Sequence, residues 1–158
     1  MPGDTFPVDL TVLGGGAGRK NASVCLATSD GKILTFAYAS GQFRAEKRWS
    51  AHQGATIQCV ASPNGTEILS CGEDGTVKIW SRNGLLRSTL ASLGKAVYCV
   101  DWSPDGAKVV FSSQSKVQTK AIAPNSRGEI WTAHHPVVTG LARYSEIFLK
   151  FSYQYFSA

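Results

Sequence analysis

His52, Ser70 and Asp74 are the residues whose types would do chemistry together in this chain. A serine nucleophile, a histidine base and an aspartate to orient it form the triad of acyl-transfer hydrolases. Two features argue against that use. Ser70 lies inside the apolar run Glu67–Cys71, which reads as a strand rather than a sharp turn, and no G-x-S-x-G surrounds it. Trp80 follows ten residues later and completes a different constellation. Asp74, in a tight turn, would accept from backbone amides and from the His52 ring. His52 would in turn bond Ser70, and the Ser70 oxygen would accept the Trp80 indole N–H. Every polar group in that relay finds a partner, which is what a buried network needs. The expectation is a structural tetrad of His52, Ser70, Asp74 and Trp80, and no catalytic residue.

The other reactive residues have no such company. Cys25, Cys59, Cys71 and Cys99 form no C-x-x-C pair and stand in apolar, strand-like runs, so reduced, buried thiols are expected. His134 and His135 are adjacent and would point to opposite sides of an extended chain. Neither set makes a metal site. The run Gly14–Gly18 lacks the G-x-x-x-x-G-K-[ST] pattern of a phosphate loop, because Arg19-Lys20-Asn21 follows it, and reads as a surface loop. No metal and no cofactor are expected. Asn21-Ala22-Ser23 and Asn64-Gly65-Thr66 match the glycosylation sequon, but Asn64-Gly65 has a better use as a turn.

The elements that must hold the tetrad come from a repeat. Ser62-Pro63-Asn64-Gly65 recurs forty-one residues on as Ser103-Pro104-Asp105-Gly106. Trp49-Ser50-Ala51-His52 recurs after two such steps as Trp131-Thr132-Ala133-His134. A period near 40–45 residues is that of a four-stranded propeller blade. The strand signals agree: Thr56–Ala61, Glu67–Cys71, Thr76–Trp80 and Leu85–Leu90 are short β-branched or apolar runs, separated by Asn-Gly and Asp-Gly turns. Ala96–Trp102, Lys108–Phe111, Lys116–Ile122 and Glu129–Thr132 form another set of four. The fold expected is an all-β, incomplete propeller over residues 5–142. Its blades span about 5–48, 49–90 and 91–132, with the first strand of a fourth at 137–141, followed by an aperiodic tail over 143–158. At the tetrad positions the third blade has Leu93, Phe111, Ser115 and Ala121, so packing alone is expected to hold it.

Composition sets the outer bounds. With 158 residues, 43% of them hydrophobic and 17% charged, the chain is too apolar for intrinsic disorder. It has no apolar run long enough for a membrane-spanning helix. The N-terminus lacks a basic region followed by an apolar stretch, so no secretory signal is expected. The net charge of +5 opens a nucleic-acid reading, but the densest basic group, Arg44, Lys47 and Arg48, is interrupted by Glu46. It has no interleaved aromatic stripe, so no nucleic-acid partner is expected.

The run Gly72-Glu73-Asp74-Gly75-Thr76-Val77-Lys78-Ile79-Trp80-Ser81 resembles a WD repeat, and the tetrad spacing is that of its hydrogen-bonded His, Ser, Asp and Trp. The continuation Asn83–Leu90 into Val97–Trp102, with Thr28–Lys32 and Ala123-Pro124-Asn125, is similar to the eighty-kilodalton-class WD-repeat subunits of intraflagellar transport complex B. The likeness runs from about Phe6 to Leu141. It implies a non-enzymatic scaffold that joins other complex B subunits, supports cilium assembly, and resides at the cilium and ciliary base with a cytoplasmic pool. Membrane insertion and a small-molecule substrate are not expected. General blade geometry puts the partner contacts at the loop around Gln53 and the turn holding Glu73. A WD-repeat adaptor of another cytosolic complex, of ubiquitin-ligase or coat type, is the alternative. Three blades and a strand fall short of the four to eight that close a propeller. The sequence is therefore expected to be a fragment, a shortened product or an incomplete gene model, and a tail beyond a true exon boundary would fit its end.

Overall fold

A computed structural model describes residues 4–14, 22–123 and 128–132. The strand expected at 137–141, the His134-His135 pair, Gly15–Gly18 and the tail from Arg143 lie outside the described residues. Within them the chain forms strands and turns only, and no helix is long and apolar enough to cross a membrane.

The strands make three four-stranded antiparallel sheets, each a meander of consecutive strands. The first contains β1 (Pro7–Leu13), β2 (Ala22–Thr28), β3 (Lys32–Ala39) and β4 (Gln42–Ser50). The second contains β5 (Thr56–Ala61), β6 (Glu67–Gly72), β7 (Thr76–Ser81) and β8 (Leu86–Ser92). The third contains β9 (Cys99–Trp102), β10 (Lys108–Ser113), β11 (Lys116–Ala121) and β12 (Glu129–Thr132). This is the all-β, incomplete propeller read from the repeat. β4 continues through Trp49, which pairs with Ile33 in the first sheet.

One turn design connects most of these strands. Gly31, Gly65, Gly75, Gly84 and Gly106 each donate their N–H to the carbonyl three residues back and each have positive φ. The preceding Asn or Asp does not have positive φ. The turns are therefore type I with a left-handed glycine after them, rather than two-residue turns with both residues left-handed. In the repeated Ser-Pro-Asn/Asp-Gly turns the bonding is the same twice. Ser62 Oγ donates to Asn64 Oδ1 at 2.7 Å and Ser103 Oγ to Asp105 Oδ1 at 2.5 Å. The Thr66 and Ala107 amides donate to those same acceptors.

The core lies between the sheets. Leu13, Cys25, Ala27 and Ile33 of the first sheet meet Cys59, Ile68 and Trp80 of the second. On the other side of the second sheet Leu69, Cys71, Val77 and Ile79 meet Val100, Trp102, Val109 and Phe111 of the third. Ile68 and Leu69 are sequence neighbours that face opposite interfaces, as the alternation of a strand requires. The middle sheet is thus buried on both faces. Each aliphatic side chain buried there contributes about 1.5–3 kcal/mol. The inner strands stack side by side, β1 against β5 and β5 against β9.

Candidate functional site

The second sheet brings together the four residues singled out in the sequence. Trp80 Nε1 donates to Ser70 Oγ at 2.8 Å, and Ser70 Oγ lies 2.8 Å from His52 Nε2. His52 Nδ1 lies 3.0 Å from Asp74 Oδ1. A carboxylate only accepts, so the imidazole carries its proton on Nδ1 and its Nε2 accepts from the Ser70 hydroxyl. The direction of donation then runs from Trp80 to Ser70 to His52, and from the other side of the ring to Asp74. Ser70 sits in mid-strand on β6, Trp80 on β7, Asp74 in the turn between them, and His52 in the segment entering the sheet. The tetrad thus bonds β6 to β7 and both to the segment that precedes β5.

The electrostatics follow from burial. Burial pushes the His52 pKa down more strongly than the Asp74 hydrogen bond and charge push it up, and Lys78 adds to the lowering. The ring is neutral at neutral pH. Burial alone would raise the Asp74 carboxyl, but hydrogen bonds from the Thr76 hydroxyl and amide, from His52 and from the Gln53 amide outweigh it and hold it at about 2. Ser70 is fully buried, and its oxygen already accepts the indole N–H.

Three participants carry no signal in the four-residue pattern. Thr76 donates its hydroxyl and its amide to Asp74 Oδ1 at 2.7 and 3.0 Å, a local bond that the Asp-Gly-Thr sequence itself advertises. Lys78 donates to the Ala51 carbonyl at 2.7 Å, and its ammonium lies over the Trp80 ring. Gly72 gives the imidazole its space: a Cβ there would stand 2.5 Å from His52 Cγ.

Gln53 and Glu73 are both exposed, and the Glu73 side chain stands against Gly54, the residue after Gln53. The Gln53 amide donates to Asp74 Oδ2 at 3.1 Å, and the Glu73 carboxylate accepts the Ala55 amide at 2.9 Å. Part of Glu73 is therefore engaged in holding the loop it stands against.

The third sheet corrects the expectation of packing alone. Ser113 Oγ donates to the Ala96 carbonyl at 2.9 Å, and Lys95 Nζ to Gln114 Oε1 at 3.2 Å. Ser113 is the counterpart of Gly72, one repeat on. With Leu93 where the second blade has His52, no imidazole demands a glycine, and a hydroxyl at that position reaches the entering segment directly.

The comparisons with known proteins agree with this geometry. The family model for the WD domain, G-beta repeat, matches residues 43–81 and 86–117. Three four-stranded meanders and that repeat define the class: the chain carries WD repeats and has an incomplete β-propeller architecture. Within the class it is similar to the Intraflagellar transport protein 80 homologs. The one from Mus musculus is 39% identical over 142 residues, which is 87% of this chain and 18% of that protein. The one from Rattus norvegicus has the same identity and coverage. The chain spans less than a fifth of the length of these curated relatives. Apoptotic protease-activating factor 1 from Homo sapiens is 27% identical over 92 residues, 49% of this chain and 7% of that protein.

Proposed function

We propose that this chain is a non-enzymatic protein-interaction scaffold of the intraflagellar transport particle and supports cilium assembly. The observation that carries this reading is the 39% identity to Intraflagellar transport protein 80 homologs over nearly the whole chain. Its partners are other subunits of complex B, and its place is the cilium and ciliary base with a cytoplasmic pool. Nucleic acid, membrane insertion and a small-molecule substrate form no part of the role.

In this reading the tetrad of His52, Ser70, Asp74 and Trp80 is structural. Its bonding supports that role: a serine that is buried and already accepts an indole N–H presents no open oxygen to a substrate carbonyl. The tetrad fixes the turn at Glu73 and the loop at Gln53, and these two exposed residues meet the partner. Loops on a rigid frame are where such proteins bind.

The test is recovery of complex B subunits with the tagged chain from ciliated cells, together with its position by microscopy. Complex B subunits in the precipitate and signal at the axoneme or its base are expected. Weaker recovery by Gln53→Ala or Glu73→Ala protein is expected if those residues form the contact. A weaker likeness to another WD repeat-containing protein, 25% identical over 91 residues, favours a general adaptor as the second reading. Recovery of a different complex and no ciliary signal would establish it instead.

A further inference from the structure

The first and second sheets do not close completely on one another. A cleft of about 340 Å³ remains between them, lined by Leu13 and by the polar side chains of Ser23, Thr35, Glu46, Lys47, Arg82 and Asn83. Its lining is unlike the aliphatic interface beside it. Thr35 is 1% exposed, and its hydroxyl has no hydrogen-bond partner among the described residues. A buried hydroxyl without a partner is unfavourable, so an unpaired one bordering a cleft marks a place where a polar ligand gains more than it would elsewhere.

The charges around it tell which ligand. Lys47 forms no ion pair with a described residue, and Arg82 uses one guanidinium nitrogen in a long 3.4 Å bond to the Gly65 carbonyl. The remaining guanidinium donors, the Lys47 ammonium and the Asn83 amide come from two different sheets to one space. A bulge places Glu46 there too: Thr35 pairs with Lys47 and Phe36 with Ala45, so Glu46 is left over between them. Two cations, two hydroxyls and an amide outnumber this one carboxylate. Arg82 and Asn83 also border a second cleft of about 370 Å³, to which Arg87 contributes a third cation.

We infer that this inter-sheet cleft binds an oxyanion, a phosphate or carboxylate group, between Thr35, Lys47 and Arg82. The site is separate from the tetrad and from the loops at Gln53 and Glu73, and it does not depend on the scaffold reading. A charge-assisted bond from Lys47 or Arg82, with the threonine hydroxyl behind it, is the chemistry that recognises such a group.

The experiment is a titration of the isotope-labelled full chain with inorganic phosphate and, separately, with acetate at constant ionic strength, read by amide shifts of Thr35, Lys47 and Asn83. Saturable shifts with either anion are expected, and the ratio of the two affinities says whether phosphate or carboxylate is the preferred group. Thr35→Val and Lys47→Gln proteins are expected to bind at least about tenfold more weakly. Glu46→Gln, which removes the opposing charge, is expected to bind more tightly. The Thr35→Val protein also separates a site from a structural role: it should melt no lower than the parent, since the hydroxyl it loses has no partner. Absence of saturable shifts with both anions overturns the inference. So does affinity left unchanged by either the Thr35 or the Lys47 substitution.

Discussion

The Asp9 carboxylate accepts the Cys59 backbone N–H at 3.0 Å, across the boundary between the first and second sheets. One sheet further on, Gln58 Oε1 accepts the Val100 backbone N–H at 2.8 Å. Asp9 pairs with Ala27 and Gln58 with Cys71, which is the same place in the two sheets. An inner strand thus bonds to the next inner strand through a side chain, because stacked blades share no backbone ladder. The corresponding residue of the third sheet is Cys99, whose sulfur lies 2.7 Å from Ser112 Oγ.

Removing either side chain leaves a backbone N–H at a blade boundary unpaired. Asp9→Ala is expected to lower stability by about 1–3 kcal/mol, and Asp9→Asn, which keeps an acceptor, by less. Amide exchange distinguishes this from a general loosening. Cys59 should lose protection in the Asp9 variant and Val100 in a Gln58→Ala variant, each without the other. Equal loss at both amides in both variants would mean that the bonds are not local staples.

The tetrad predicts strong coupling. Ser70→Ala deprives the Trp80 N–H and the His52 Nε2 of their partner at once, and is expected to cost about 2–4 kcal/mol in chemical denaturation. Trp80→Phe removes the donor together with part of the buried ring. A double-mutant cycle between them should give an interaction energy well above zero, whereas additive losses would count against the hydrogen bond.

Acid should weaken the blade in two stages. His52 has a folded pKa below its ordinary 6.5, so below that value the unfolded chain binds the extra proton first and stability falls as pH drops. Asp74 has a folded pKa of about 2 against an ordinary 3.8, so its contribution is complete above 3.8 and is lost as pH falls towards 2. Denaturant midpoints between pH 7 and 5 test the first stage. A His52→Leu protein should show a flatter profile there, and an unchanged slope would remove His52 as the cause.

Gly72 is expected to tolerate no side chain while the imidazole is present. Gly72→Ala places a Cβ 2.5 Å from His52 Cγ and should destabilise by about 1–3 kcal/mol. Combined with His52→Ala, its added cost should shrink, since the third sheet accommodates Ser113 where Leu93 replaces the histidine. Full additivity in thermal melts would show that the strain lies elsewhere.

The four cysteines should be silent until the fold opens. All are buried, and none forms a disulfide. Burial pushes the Cys99 thiol up to about 11 and the Cys71 thiol higher, and at Cys59 the contact with Cys25 and burial act in the same direction. A thiol-reactive dye at pH 8 should label none rapidly in native protein and all four in denaturant. Fast labelling of a single site under native conditions would reveal a local opening.

Much of this molecule is legible in the chain because its signals are local. The forty-one-residue period, the Asn-Gly and Asp-Gly turns and the β-branched runs announce four-stranded blades, and Thr56–Ala61 is a strand with the bounds read from the sequence. The spacing of His52, Ser70, Asp74 and Trp80 is legible for the same reason: within one blade, sequence distance and strand register are tied together. Thr76 could have been added, since its bond to Asp74 spans two residues.

What the sequence determined by itself is therefore the blade: its strands, its turns and the polar relay inside it. The tertiary structure alone decided what happens between blades. Asp9 reaching Cys59, Gln58 reaching Val100, and the Thr35 hydroxyl left without a described partner at the cleft it shares with Arg82 all depend on how the sheets stack. That stacking is set by side-chain packing between elements far apart in the chain, and no periodicity along the sequence records it.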